Sequence, residues 1–175
     1  MMLNMKYLLS ALLLLTFSPI LGYAQTKVEP QDKPKTSEEL KAEADATFLD
    51  TIEKGDAVVF YSLLESSADV NAKNENGSTA LMVAASNDRP GFLKALISRG
   101  ADVNAKNNFG NTALMNAASF GQVEMVRDLL IAGAYVKAKN ESGWTALKLA
   151  LKSAHAREVN YRQVIELLRA YGAKK

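Results

Sequence analysis

From Ser37 onward the apolar residues fall in short clusters separated by stretches of Gly, Asn, Asp and Lys. The cluster "QVEMVRDLLIAG" sets Val123, Val126, Leu129 and Leu130 at helical spacing, so that they form one face. "GFLKALISRG" has the same form one segment earlier. Each is preceded by another apolar cluster, "GSTALMVAA" or "GNTALMNAA", in which a Thr stands before a run of good helix formers. That hydroxyl can accept from backbone N–H groups left open in the first helical turn. Gly100, Gly133 and Gly172 stand where the second helices should end, because a left-handed residue there costs Gly nothing. The polar stretches "ADVNAKNENG" and "ADVNAKNNFG" predict turns leading from one helix pair to the next.

These clusters repeat with a fixed period. Gly77, Gly110 and Gly143 are 33 residues apart, and so are Thr79, Thr112 and Thr145, and Leu81, Leu114 and Leu147. The columns Ala68, Ala101, Ala134 and Val70, Val103, Val136 keep the same register, and Gly121 projects back through Asp88 onto Gly55. A fixed period of this length marks stacked units, each too small to bury its apolar face alone. Ala84 and Ala85, and Ala117 and Ala118, are small enough to let neighbouring helices approach closely.

With these residues in register, the chain resembles the ankyrin repeat family. The matching stretches are "NGSTALMVAASNDRPGFLKALISRGADVNAK" (76–106), "FGNTALMNAASFGQVEMVRDLLIAGAYVKAK" (109–139) and "SGWTALKLALKS" onward. The resemblance implies an all-α solenoid of about four helix-turn-helix units with projecting β-turn fingers and a concave binding surface. Its units fall near 41–73, 74–106, 107–139 and 140–175. The chain departs from the family pattern in three places. Family repeats usually read Thr-Pro-Leu-His, whereas here the tetrads are "TALM", "TALM" and "TALK". Met82 and Met115 are expected to replace the His network by packing. Asn74, Asn107 and Asn140 stand where the finger usually starts with Asp. The last unit is six residues longer, and the extra length is expected in "SAHAREVNYRQ", between its helices.

The N-terminal stretch has a different character. Residues 1–24 carry Lys6, an apolar run centred on Leu12–Leu15, the breakers Pro19 and Gly22, and Ala24. This is the layout of a secretory signal peptide, with Gly22 and Ala24 at the small positions before the cut. The expectation is export, to the periplasm or beyond, with no stable membrane insertion after cleavage. Residues 25–37 are polar with Pro30 and Pro34 and read as a flexible tether. The linker is taken to residue 40 and the repeat domain as 41–175. Ser37, followed by Glu38, Glu39 and Leu40, makes a helix start with acids at the positive end of its dipole.

Composition then narrows the chemistry. The formal charge is +2 and 48% of residues are hydrophobic, so no polyanion is indicated and nucleic acid is not an expected partner. Without residues 1–24 the chain has 20 basic and 19 acidic residues. There is no Cys and one His, which removes disulfides, thiolate chemistry and multi-His metal sites. His155 lies in the polar insertion and is read as solvated. Asp69 and Asp102 belong to the repeat signature, and nucleophile, phosphate-loop and zinc motifs are missing. Neither catalysis, a cofactor nor a small-molecule substrate is expected.

Protein binding is the function that the resemblance implies, through finger tips and the exposed face of the first helices. Phe109, Phe120 and Trp144 are aromatic where those positions are expected to be polar, which is typical of interface anchors. Asn76 and Asn111 flank them in the fingers, and Lys106 and Lys139 belong to a basic row begun by Lys73. Tyr135, in place of the finger Asp, is a weaker candidate. The expected partner is a periplasmic or secreted protein; a secreted effector acting on a host protein and a self-associating structural protein are the alternatives.

Overall fold

The computed structural model describes residues 35–66, 68–154 and 159–174. The expected signal peptide, residues 25–34 of the linker and His155 lie outside these residues. The described residues form eight helices: α1 (Ser37–Lys54), α2 (Ala57–Glu65), α3 (Ala80–Ser86), α4 (Pro90–Ser98), α5 (Ala113–Ser119), α6 (Val123–Ile131), α7 (Ala146–Ser153) and α8 (Val159–Ala170). None of them is long and apolar enough to cross a membrane.

Local chemistry sets the helix starts. Thr79, Thr112 and Thr145 are extended residues capping α3, α5 and α7, and their Oγ1 atoms accept from the N–H groups of Met82, Met115 and Lys148. Each such cap is worth about 1 kcal/mol. The start of α1 differs from the sequence reading, because Thr36, and not Ser37, is the cap. Its hydroxyl accepts from the Glu39 N–H at 3.2 Å while the Glu39 carboxylate accepts from the Thr36 N–H at 2.8 Å. This reciprocal pair brings residues 37–40 into the helix, so the linker assignment to residue 40 runs four residues too far.

The first helices α1, α3, α5 and α7 pack in succession, each against the next, and α4, α6 and α8 do the same in a second layer. Within each unit the two helices pack on each other. The reason is steric: Ala84, Ala85, Ala117 and Ala118 are fully buried, so first helices meet almost backbone to backbone. Leu81, Leu114 and Leu147 fill the space between layers, joined by Leu93, Leu96, Val126 and Leu129. Burying each Leu contributes about 2 kcal/mol. Met82 and Met115 are both 1% exposed and pack in this core as expected. Gly133, with φ of 89°, follows the end of α6 in the left-handed conformation, and its N–H returns to the Leu130 carbonyl.

The longer fourth unit corrects one expectation. Its six extra residues are not confined to the connection between helices. α7 is one residue longer than α3 and α5, and α8 is three longer than α4 and α6, so Val159–Gln163 of the expected insertion belong to a helix. The terminal unit has lengthened its helices.

Candidate protein-binding face

The fingers are built by asparagine. Asn74 Oδ1 accepts from the N–H groups of Asn76 and Ser78, and Asn107 Oδ1 from those of Phe109 and Asn111. Asn140 Oδ1 accepts from the Trp144 N–H at 2.8 Å. An aspartate could do that much. The amide adds a donor: Asn140 Nδ2 donates to Asn111 Oδ1 at 2.8 Å, and Asn107 Nδ2 to Ser78 Oγ at 3.3 Å. Replacing Asp by Asn therefore joins each finger to the one before it and avoids a row of stacked negative charges.

Main-chain bonds complete the ladder. The Asn108 N–H donates to the Asn76 carbonyl at 3.0 Å and the Glu141 N–H to the Phe109 carbonyl at 3.1 Å. Nearer the helices, Asn71 Oδ1 accepts from the Asp102 N–H and Asn104 Oδ1 from the Tyr135 N–H, at 2.8 and 2.7 Å. The third member of that column is Lys137, which ends the series.

On this frame the sequence candidates separate. Phe109 is 56% exposed, yet its N–H and carbonyl are both engaged, so a rigid backbone holds an apolar ring in solvent. Asn76 is exposed, its carbonyl belongs to the ladder, and it also lines the groove beside α1. Asn111 is half-buried and accepts from Asn140, so its amide is a rung of the framework and not a free contact. Trp144 is also half-buried, with the Lys152 ammonium 5.1 Å from its ring centroid. The expectation of a freely exposed Trp144 gives way to a ring already covered by a cation. Lys106 is exposed, but its ammonium donates to the Lys139 carbonyl at 2.8 Å. That spends its charge on joining units. Lys139 and Tyr135 are exposed.

Phe120 does not join the others. It is 59% exposed, but it caps the far end of α5, about 10 Å of helix away from the fingers. It lies beside Asp88, Gln122 and Gln163 instead. The single surface expected from Phe109, Phe120 and Trp144 is therefore divided: Phe109 and Trp144 belong to the finger edge, and Phe120 does not.

A groove of about 530 Å³ between α1 and the first finger was missed from sequence. Ala42, Ala46 and Leu49 line it, with Asp45, Asp50, Glu53 and Glu75 at its edges. The acids were visible in "EADATFLDTIEKGD", but α1 keeps no repeat register that would align it with the finger. Asp45 is paired with Lys41 at 3.1 Å, and Lys41 also reaches Asp69. These bonds raise the Lys41 pKa, Asp45 first and Asp69 second. The Asn71 N–H, followed by Lys41, holds the Asp69 carboxyl below its ordinary range. Among the described residues no three His, Asp or Glu side chains gather as a metal site. The surface is suited to recognition.

Repeated helix pairs, a two-layer core and linked fingers define a helical repeat solenoid. The family model described as "Ankyrin repeats (3 copies)" matches twice, over residues 48–140 and 89–175. The chain belongs to the ankyrin repeat family. Repeats of this family are generally protein–protein interaction modules and typically not enzymes. No curated protein matches the chain.

Proposed function

We propose that this protein is exported to the periplasm and there binds another protein through its finger edge, without catalysis. Phe109 is the central contact, Asn76 flanks it on the preceding finger, and the Trp144–Lys152 pair supplies a cationic-aromatic patch. The observation that carries this reading is the Phe109 ring, more than half exposed on a backbone with both polar groups tied. Exposing such a ring offers no gain to the free chain, while burying it against a partner returns about 2 kcal/mol or more with little backbone entropy lost. The role of the complex, whether inhibition, protection or scaffolding, follows from the partner.

The test is capture of a partner from periplasmic extract, compared between wild type and Phe109→Ala. The variant should weaken binding of the captured protein by about tenfold or more, with an unchanged melting temperature. Equal capture by Phe109→Ala would reject the finger edge. Cell fractionation tests export: accumulation in the periplasm is expected, and recovery from the culture medium would favour the secreted-effector alternative.

A further inference from the structure

The two ends of the repeat stack are opposite in charge. Residues 35–73 hold nine acidic and four basic residues, whereas residues 140–175 hold seven basic and three acidic. The intervening units are nearly neutral, so the imbalance belongs to the ends.

The C-terminal end has an open groove of about 600 Å³. On one side of α8, Gln163, Leu167 and Ala170 share a groove with Val123 and Arg127 of the third unit. On the other side, Ile165, Arg162 and Arg169 line a groove with Leu151 and Val159, and among the described residues only those of the fourth unit take part. That is where another unit would stack. Val159 is 65% exposed there. Glu166 also lines the groove, between the two arginines in sequence.

The N-terminal end offers a matching element. α1 has 18 residues against seven or eight in the other first helices, and its buried residues begin only at Phe48. In its unburied half, Leu40 is 55% exposed, and Glu43 and Ala44 share its face at i+3 and i+4. Ala42, Ala46 and Leu49 line the finger groove on the opposite side, so the Leu40 stripe is turned away from the second unit. Glu43 is paired with Lys35, an exposed contact that is readily exchanged.

We propose that α1 of a second copy docks in the C-terminal groove, Leu40 against Leu151, Val159 and Ile165, and Glu43 against Arg162 and Arg169. The contact joins the C-terminal end of one repeat stack to the N-terminal end of the next. The contact is heterologous, since each chain offers a different surface at each end. Half a helix in one groove covers less than the roughly 1,000 Å² expected of a stable interface, so association is weak and salt-sensitive. It does not depend on the finger-edge reading, because Phe109 lies outside both surfaces.

Sedimentation velocity of the protein purified from the full-length gene, over a range of concentrations at low and high salt, provides the test. Association is expected at low salt and at high concentration, and loss of it at high salt. Arg162→Glu/Arg169→Glu and Glu43→Lys should each weaken it by about tenfold or more. An equimolar mixture of those two variants should recover it, because the groove of the Glu43→Lys chain meets an unaltered α1, and in the opposite pairing both charges are reversed together. Val159→Asp, at an exposed side chain, is the second groove variant should the double substitution disturb folding. A wild-type chain that stays monomeric at its solubility limit in low salt overturns the proposal. So does association that survives both groove variants.

Discussion

The seam between the first and second units and the seam between the second and third do the same job with different chemistry. At the latter, Ala84 and Ala85 meet Ala117 and Ala118 at full burial, and Asn116 Nδ2 donates to Ser86 Oγ at 3.0 Å. Lys94 of α4 pairs with Glu124 of α6 on the outside, holding the Glu124 carboxyl below its ordinary range. At the former, rings stand where the second unit has Leu81 and Leu93: Phe60 stacks on Phe48 within the first unit at 5.5 Å, and on Phe92 across the seam at 4.1 Å between centroids. Arginines then close the helix ends. Arg89 donates to the carbonyls of Ile52 and Glu53, and Arg99 to that of Leu64 at 2.7 Å. A cation at these carbonyl termini also meets the negative end of each helix dipole. A repeated seam relies on close approach between copies of one unit. A terminal unit with no consensus to match is held by large rings and long cations.

The position eleven residues before the helix-ending glycine shows how far one location can vary. Arg89, Gln122 and Tyr161 are counterparts once the six extra residues are allowed for. Arg89 lies against Gly55, while Tyr161 covers Gly121 and donates its hydroxyl to the Ser119 carbonyl at 3.0 Å. Two unlike side chains thus reach back to the same turn of the preceding unit.

Substitutions can set the two seams against each other. Phe60→Ala should have the largest effect, about 3–5 kcal/mol, because it removes the ring common to both stacks. Hydrogen exchange should show the loss concentrated in α1 and α2, with α5 and α6 still protected; uniform loss would mean that the first unit is not separable. Leu114→Ala should cost about 3 kcal/mol, and being central it should lower a single cooperative melt. Arg89→Ala should cost about 1–2 kcal/mol by leaving two carbonyls without their donor, again read as faster exchange near the end of α1. The smallest expected change is a gain. Asp88 has φ of 53° where its counterparts are Gly55 and Gly121, so Asp88→Gly should raise stability by about 0.5–1 kcal/mol in denaturant unfolding. A loss would show that the Asp88 side chain contributes more than its backbone strain costs.

Much of this architecture was legible before any coordinate. The Thr caps, the buried Leu columns, the Ala pairs and the helix-ending glycines all sit where the 33-residue register put them. The register failed at the ends, where α1 begins four residues earlier than the domain boundary at residue 41 allowed and α8 is lengthened. The exposure of Phe109 and Asn76 was legible because exposure at a finger tip follows from position in the repeat. The contacts of Asn111, Trp144 and Lys106, with residues 29, 8 and 33 positions away, were not legible, because only folding brings those groups together.

By itself the sequence determined the period, the helix starts and the core, because capping, spacing and small residues act over one or two turns or recur by copy. Tertiary structure alone decided which exposed groups are free. Whether an amide, an ammonium or an indole faces solvent depends on what the adjacent unit places within about 3–5 Å of it. Such neighbours are set by stacking, and no local pattern encodes them.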